Sequence, residues 1–151
     1  MKGENMKVTI KKLDENAKTP TYGTDFSAGA DLYALIQEGE REIRPGEIYL
    51  VHTGISLEIP EGYGGFIFAR SGLATKKALA PANKVGVIDS DYRGEIMVPL
   101  LNSGTREAVI ANGERIAQIV FMQYGKASFE LSEDLSDTER GEGGFGSTGK
   151  K

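Results

Sequence analysis

Apolar and polar residues alternate at short intervals along much of the chain. An alternation of period two places successive side chains on opposite faces of the backbone, which is typical of half-buried β-strands. The stretches with this pattern, or with aromatic residues on one side, are 8–11, 55–59, 66–68, 96–100 and 115–122. Gly, Asn and Pro residues separate such stretches at intervals of about 8 to 12 residues, which favours a β-sandwich or barrel. We therefore predict an all-β fold.

One short segment has helical character instead. Residues 71–79 read SGLATKKAL, with Ser71 as an N-cap, alanines in the interior and lysines near the end, where the helix dipole favours positive charge. The pattern predicts a single helix of about two turns.

The composition changes after about residue 131. Residues 132–151 have five glycines between Gly141 and Gly149 and a single aromatic residue. Such a segment has too little apolar surface to fold alone. We therefore predict a folded β domain over residues 1–131 and a Gly-rich arm over residues 132–151.

Charge and composition narrow the classes of partner. The chain has 151 residues, a formal net charge of −4, a pI of about 5.1 and no cysteine, so disulfides and thiolate chemistry are excluded. An acidic chain is a poor match for a nucleic-acid polymer, because contacts to phosphate dominate that affinity. A small phosphorylated ligand needs only local arginines or a metal ion. No stretch has the apolar length of a membrane span or a signal peptide, so we expect a soluble, cytoplasmic protein.

The stretch GVIDSDYRGEI, residues 86–96, interrupts an apolar pattern with Asp89, Asp91, Tyr92 and Arg93. It is either a solvated hairpin tip, since Asp, Ser and Gly form turns, or a binding edge. A turn between the two aspartates would give them different environments, as acid–base chemistry prefers. A strand edge also presents peptide groups that can pair with the edge of a base.

Two further stretches can hold phosphate. The first is Arg70, Ser71 and Gly72, where a helix N-terminus offers free backbone amides, Ser71 adds a hydroxyl and Gly72 lets a ligand approach closely. An ordinary helix capped by serine would have the same sequence. In the arm, one phenylalanine lies among glycines near a cation and two hydroxyls, so the arm is either a flexible tether or a lid that orders on a ligand. The residues concerned are Arg140, Phe145, Ser147 and Thr148.

Three isolated polar residues have open interpretations. Asp31 lies where an apolar strand starts and is a turn acid or a metal ligand. Gln118 alternates with Ile116 and Val120, so we place it on their face as a cross-strand group or a ligand contact. His52 is the only histidine, so one chain cannot build a histidine metal site, and we interpret it as structural.

Five segments occur together in one order, and as a set they resemble the five motifs of the trimeric deoxyuridine triphosphate nucleotidohydrolases, the dUTPases. The segments are SAGADLYA, PEGYGGFIFARSGLA, NKVGVIDSDYRGEI, GERIAQIVF and RGEGGFGSTG. The resemblance implies a distorted jelly-roll β-barrel and a homotrimer with shared active sites. It also implies Mg²⁺ and hydrolysis of dUTP to dUMP and pyrophosphate, which limits uracil in DNA and supplies dUMP.

The resemblance assigns roles around the third motif. Asp89 matches the aspartate that binds the sugar 3′-hydroxyl and orients the water attacking the α-phosphorus, which makes it the general base. Tyr92 matches the residue that packs under deoxyribose and excludes a 2′-hydroxyl. Asn83 matches the side chain that recognises uracil. The backbone groups that recognise it match those of Val87, Ile88 and Met97.

The other motifs supply the phosphate contacts. Arg70, Ser71 and Gly72 match the phosphate seat, and Gln118 matches a contact near the α-phosphate. Asp31 matches the acid associated with the metal, through water, while the triphosphate itself holds most of the Mg²⁺. In the arm, Arg140 matches the residue that contacts the γ-phosphate, and Phe145 matches the ring that stacks on uracil. Ser147 and Thr148 match the residues that hold the outer phosphates.

Two other functions are compatible with parts of this pattern. A dCTP deaminase has a similar fold but needs different base-reading and water-activating groups, and residues 88–95 together with the Gly-rich arm favour the dUTPase. A non-enzymatic β-sandwich interaction module would use residues 132–151 only as a tether.

Overall fold

The computed structural model describes residues 6–144, in which twelve β-strands and one helix form. The strands are β1 (Thr9–Lys12), β2 (Thr21–Tyr22), β3 (Ala30–Tyr33), β4 (Glu40–Ile43), β5 (Ile48–His52), β6 (Ile55–Glu58), β7 (Tyr63–Phe68), β8 (Leu79–Pro81), β9 (Gly86–Ile88), β10 (Met97–Asn102), β11 (Ala108–Ala111) and β12 (Arg115–Gln123). The helix α1 is Ser71–Lys77. Across this range, no helix combines the length and apolar character that a membrane crossing requires.

The strands form antiparallel sheets of different size. The largest has the order β2-β3-β12-β7-β9, and a three-stranded sheet has the order β5-β10-β8. Two-stranded sheets β1-β6 and β11-β4 complete the pairing among residues 6–144. The mainly β architecture with one short helix is confirmed, whereas closure into a jelly-roll barrel stays a prediction.

One hydrophobic core joins the four sheets. Ile43, Ile55, Leu100 and Ile119 come from one strand of each sheet and are all 0% exposed. Burial of one such aliphatic side chain stabilises the fold by about 1.5 to 3 kcal/mol. The core therefore fixes the mutual position of the strands that hold the candidate site.

The alternation predicted some strands better than others. In β6 the predicted inward side chains Ile55 and Leu57 are 0% and 2% exposed, but Ser56, which was predicted to face outward, is also buried, at 6%. The stretch 8–11 was predicted to be half-buried, and Val8 does pack half-buried against the core, but the four residues of β1 are exposed, Ile10 by 37%. Strand β1 pairs only with β6, in a two-stranded sheet, so its other edge has no strand partner among residues 6–144.

The helix differs from the prediction at both ends. Arg70 is the N-cap, without a side-chain capping hydrogen bond, and Ser71 is the first helical residue, so the predicted Ser cap is wrong. The helix ends at Lys77 because Ala78 adopts a left-handed conformation, with φ of 54°, and its amide bonds to the carbonyl of Leu73. Leu79 instead starts β8 and is 0% exposed, so burial in the core overrides its helix propensity.

The predicted hairpin over residues 86–96 is also wrong. Strand β9 pairs with β7, whereas β10 pairs with β5 and β8. Residues 89–96 therefore cross from the five-stranded sheet to the three-stranded one. Ile96 ends the crossing, because its side chain is 0% exposed and its amide donates to the carbonyl of Ile55.

The final strand ends at Gln123, and residues 124–144 form neither helix nor strand. Three of their large apolar side chains are almost fully exposed, namely Phe129, Leu131 and Leu135. The division into a domain over residues 1–131 and an arm over residues 132–151 stays a prediction.

Candidate active site

The outward face of the five-stranded sheet carries the first group of candidate residues. Gln118 lies opposite Asp31 on one side and opposite Phe68 on the other, so the three side chains share a face. Where β12 starts, a register irregularity between Arg115 and Ala117 changes the alternation. As a result Ile116 is buried in the core, and the prediction that Gln118 shares its face is wrong. A regular alternation of period two cannot predict such an irregularity.

Gln118 connects two of the predicted motifs. Its amide Nε2 donates to the carbonyl oxygen of Ala69 at 3.0 Å, directly before Arg70. Its Oε1 lies beside Gly29, where an added Cβ would be only 2.7 Å away. The absence of a side chain at residue 29 therefore leaves the space that Gln118 occupies.

Asp31 is the centre of an ion-pair cluster. Its side chain is 14% exposed, and its Oδ1 accepts from Arg70 Nε at 2.7 Å. Its Oδ2 accepts from Arg115 Nη1 at 3.3 Å. Arg70 also donates through Nη1 to the backbone carbonyl of Arg115, at 3.2 Å. We call Asp31, Arg70 and Arg115 the arginine cluster.

Arg115 is the member of this cluster that sequence reasoning missed. Arg115 directly follows Gly113-Glu114 and precedes the apolar part of β12. A solvent-exposed residue at the start of any strand would have the same sequence context. Its spacing of three residues from Gln118 along the chain gives no signal either. Without the register irregularity, that odd spacing would have placed the two side chains on opposite faces.

The predicted phosphate seat shares Arg70 with the arginine cluster. Ser71 and Gly72 are exposed in the first turn of α1, which is anchored by the buried Leu73. The first amides of a helix have no partner within the helix, and they point outward at its start. A Cβ added to Gly72 would meet nothing within 4 Å, so packing within this chain does not require a glycine there.

The second group of candidate residues lies around β9 and the crossing that follows it. Strand β9 is the outer strand of its sheet, so the peptide groups on its edge away from β7 are open for pairing with a ligand. Val87 on this strand is 60% exposed, and Asn83 is exposed beside it, while Ile88 and Met97 are half-buried. Asp89 follows directly and is also exposed.

Tyr92 is held close to its own turn. Its hydroxyl donates to the carbonyl of Glu95 at 3.1 Å, and its amide donates to the carbonyl of Asp89 at 3.2 Å. A Cβ on Gly94 would overlap the Tyr92 hydroxyl oxygen and lie 2.5 Å from its Cζ. The position of the ring therefore depends on a glycine at residue 94.

His52 anchors the end of the same crossing. Its Nδ1 lies 2.9 Å from Glu95 Oε2, and Glu95 Oε1 accepts from the amide of Gly54 at 2.8 Å. These contacts agree with the structural role predicted for the histidine.

Asp89 also lines a cleft of about 1140 Å³. Its walls come from the crossing, from residues 58–61 and from the start of the irregular segment at residues 124–129. The arginine cluster and Gln118 are not among its lining residues.

One chain does not bring the two groups together. Ile88 pairs with Gly65, which places Asp89 beside Gly64 near the start of β7, whereas Arg70 follows the end of that strand. Six residues of extended chain separate Gly64 from Arg70, or roughly 20 Å. Arg70 also directs its Nε and Nη1 to Asp31 and to the carbonyl of Arg115, so its guanidinium group is held at the end of β7 that lies away from Asp89.

The arm residues are only partly described. Arg140 is exposed, and its Nε donates to the carbonyl of Gly143 at 2.8 Å, within its own turn. Phe145, Ser147 and Thr148 lie outside the described residues, so their roles stay predictions.

Residues 6–144 do not form a metal cage by themselves. Among residues 6–144, no three histidine, aspartate or glutamate side chains are grouped closely enough to hold an ion. Asp31, the acid predicted to contact the metal, uses both carboxylate oxygens on arginines. A Mg²⁺ ion here would need oxygens from a bound triphosphate, and a contact to Asp31 through water stays a prediction.

Comparisons with known proteins agree along the whole chain. The dUTPase family model matches residues 15–149. The deoxyuridine 5′-triphosphate nucleotidohydrolase of Desulfitobacterium hafniense is 48% identical over 150 residues, covering 99% of both chains. The protein of the same name from Rickettsia bellii is 50% identical over 143 residues, covering 94% of this chain and 95% of that one.

A solved structure has the same fold. The Staphylococcus bacteriophage 80alpha dUTPase with dUPNHPP superposes with a TM-score of 0.86 at 27% identity, covering 95% of this chain and 99% of that chain. The family match spans the five segments that carry the arginine cluster, the phosphate seat, the edge strand with Asp89, and the arm. This chain belongs to the dUTPase family.

Proposed function

We propose that the protein hydrolyses dUTP to dUMP and pyrophosphate, as a dUTP diphosphatase. The observation that carries this proposal is the near full-length match to deoxyuridine 5′-triphosphate nucleotidohydrolases, at 48% identity. The geometry supports it, because the structure offers an open strand edge for a base and a separate cluster of arginines for phosphates.

Uracil is read at β9. The exposed edge of β9 offers peptide N–H and C=O groups, and Asn83 adds an amide that both donates and accepts. Pairing with backbone groups of fixed position favours uracil, since cytosine carries a donor where uracil has an acceptor. Val87, Ile88 and Met97 complete the wall around the base.

Asp89 is the general base. Its carboxylate follows the base-reading strand, so it lies beside the sugar of a nucleotide bound there. In that position it binds the 3′-hydroxyl and holds the water that attacks the α-phosphorus, taking a proton from that water. In-line attack then displaces pyrophosphate.

The phosphates bind at the opposite end of β7. Arg70 presents a guanidinium group whose orientation is fixed by Asp31, and Ser71 and Gly72 add a hydroxyl and free amides. Gln118 lies beside this seat and contacts the α-phosphate region. When Mg²⁺ is bound to the triphosphate, it neutralises charge on the phosphate oxygens.

The active unit is a homotrimer with sites shared between copies. The placement of Asp89 and Arg70 near opposite ends of β7 supports this, because a second copy can bring its own Asp89 to the first copy's phosphate seat. The arm then closes the site, with Arg140 on the γ-phosphate, Phe145 on uracil, and Ser147 and Thr148 on the outer phosphates.

An apolar sheet surface supports association of copies. The outward face of the three-stranded sheet carries Ile48 and Leu50, which are 57% and 45% exposed. Their cross-strand partners on the same face are Leu101 and Pro99. We call Ile48, Leu50, Pro99 and Leu101 the apolar sheet face. Contiguous exposed apolar surface of this kind is typical of protein interfaces.

Charging the apolar sheet face should dissociate the trimer. The change Leu50→Lys places an ammonium group in an apolar contact, which is costly without a partner. We expect monomers by analytical ultracentrifugation and a loss of turnover. The control is Val109→Lys, because Val109 is 39% exposed on β11, outside this face. A Leu50→Lys protein that stays trimeric with full turnover would contradict the role of the face.

A methyl group at residue 94 should weaken discrimination against ribose. In Gly94→Ala the new Cβ must displace the Tyr92 ring, which is proposed to pack under deoxyribose. We expect the ratio of kcat/KM for dUTP over UTP to fall by about tenfold or more, since loss of one steric contact is worth about 1 to 3 kcal/mol. Gly72→Ala, where a Cβ meets nothing within 4 Å of the chain, tests the phosphate seat instead and should lower kcat/KM for both nucleotides alike. An unchanged ratio in Gly94→Ala would remove Tyr92 from the sugar site.

The activity itself is tested by a substrate panel. Pyrophosphate release is measured from dUTP, UTP, dTTP and dCTP, with and without Mg²⁺, and ammonia release is measured from dCTP. We expect pyrophosphate from dUTP alone at appreciable rate, and less without the metal. Ammonia from dCTP would instead identify a deaminase of the same fold.

A further inference from the structure

Arg115 has no role in the function proposed above, yet it belongs to the arginine cluster. It begins β12, and its Nη1 donates to Asp31 Oδ2 at 3.3 Å. Its side chain is 51% exposed, against 26% for Arg70 and 14% for Asp31. The arginine therefore reaches from the strand towards solvent on the same side as the predicted phosphate seat.

The charges of the cluster do not balance. Two guanidinium groups share one carboxylate, which leaves an excess of one positive charge at the surface. Arg70 alone already pairs with Asp31 at 2.7 Å, so neutralising that carboxylate does not require a second arginine. An uncompensated guanidinium group on an acidic protein is a favourable place for an anion.

The hydrogen-bond inventory points the same way. A guanidinium group has five N–H donors in a planar fork. Arg70 uses Nε and Nη1, on Asp31 and on the carbonyl of Arg115, whereas the ion pair of Arg115 uses only Nη1. Arg115 thus keeps Nη2 and Nε for another acceptor, and its pairing with Asp31 limits the directions in which they point.

We propose that Arg115 is a second phosphate-binding arginine of this site, held in position by Asp31 as Arg70 is. The inference rests on the proposed function, because it takes the triphosphate of the nucleotide as the ligand. Asp31 then acts on the phosphates through two arginines, independently of any contact to a metal ion.

The test is equilibrium binding without metal. The dissociation constants of a nonhydrolysable dUTP analogue and of deoxyuridine are measured by calorimetry, in the presence of EDTA, for the wild-type protein and for Arg115→Gln. This change removes the guanidinium group but keeps the backbone carbonyl that holds Arg70. We expect affinity for the analogue to fall by about tenfold or more, as for loss of charged hydrogen bonds, with deoxyuridine binding unchanged.

Two further variants sharpen the result. Arg115→Lys keeps the charge but loses the planar fork, so its affinity should lie between the other two. Arg106→Gln is the control, because Arg106 is an exposed arginine outside both groups, and its affinities should equal those of the wild type.

The outcomes separate the two proposals. If the wild-type protein does not bind the analogue, the proposed function fails. If the wild type binds it and Arg115→Gln binds it equally well, the role of Arg115 is wrong and the function stands. Equal losses for the analogue and for deoxyuridine would also overturn the inference, because they would indicate a general disturbance of the site.

Discussion

Replacing Asp89 by asparagine is expected to lower kcat by about 10²- to 10⁴-fold, the usual contribution of a general base. Asparagine has nearly the same shape and keeps one carbonyl oxygen for the 3′-hydroxyl. It cannot accept a proton from the attacking water. The dissociation constant of a nonhydrolysable dUTP analogue should therefore stay close to that of the wild type, and single-turnover kinetics should show the loss in the chemical step.

Asp91→Asn provides the matched control. Asp91 is exposed in the same crossing and also lines the cleft with Asp89. We expect Asp91→Asn to retain turnover within a few-fold. Wild-type turnover in Asp89→Asn, or an equal loss in both variants, would show that the carboxylate of Asp89 is not the base.

Removing residues 140–151 should lower kcat/KM by roughly two orders of magnitude or more, since small losses of positioning already cost that much. The truncation takes away Arg140, Phe145, Ser147 and Thr148, which are proposed to close the site over the base and the outer phosphates. Residues 124–144 form no helix or strand, so the thermal midpoint of the truncated protein should stay within a few degrees of the full chain. Turnover and thermal unfolding are measured on the same preparation.

A shorter truncation is the control for the arm. Removing only Lys150 and Lys151 leaves every proposed contact in place, and turnover should be unchanged. Full activity after loss of residues 140–151 would mean that the arm is only a tether, as the interaction-module interpretation requires. A collapse of the thermal midpoint would instead assign the arm to the fold.

The sequence predicted those parts of the fold that depend on local alternation. Val98 and Leu100 are buried as the pattern requires, because β10 has one face on the core. Ile55 and Leu57 are buried as well, but Ser56 between them is only 6% exposed, so β6 is covered on both faces. The helix was found but not its ends. A short helix is limited by its tertiary neighbours, and Leu79 gains more from burial in β8 than from another half turn.

Errors in the sequence-based prediction have non-local causes. The crossing over residues 89–96 looks like a hairpin because turn residues lie between two apolar stretches, but the partners of β9 and β10 are chosen by the sheets they join. The register irregularity at the start of β12 lies in its pairing with β3, which is distant in sequence. Because it moves Gln118 and Arg115 to one side, the arginine cluster was beyond what a regular alternation predicts.

The candidate site divides in the same way. The resemblance supplied residue types and order, and the structure places Asp31, Arg70 and Gln118 together at one end of β7. It places Asp89 and Tyr92 near the other end. This separation within one chain follows from the strand pairing, and it could not be predicted from the spacing of the motifs along the sequence.

Subunit complementation tests the central claim most directly. Asp89→Asn and Arg70→Gln proteins, each inactive alone, are mixed, unfolded and refolded together, and pyrophosphate release from dUTP is measured. If one copy supplies the base and another holds the phosphates, random assembly leaves about a quarter of the sites with both native groups, and activity returns to about that fraction of wild type. If every site lies within a single chain, no mixed assembly contains an intact site, and a mixture that remains inactive would contradict the shared site.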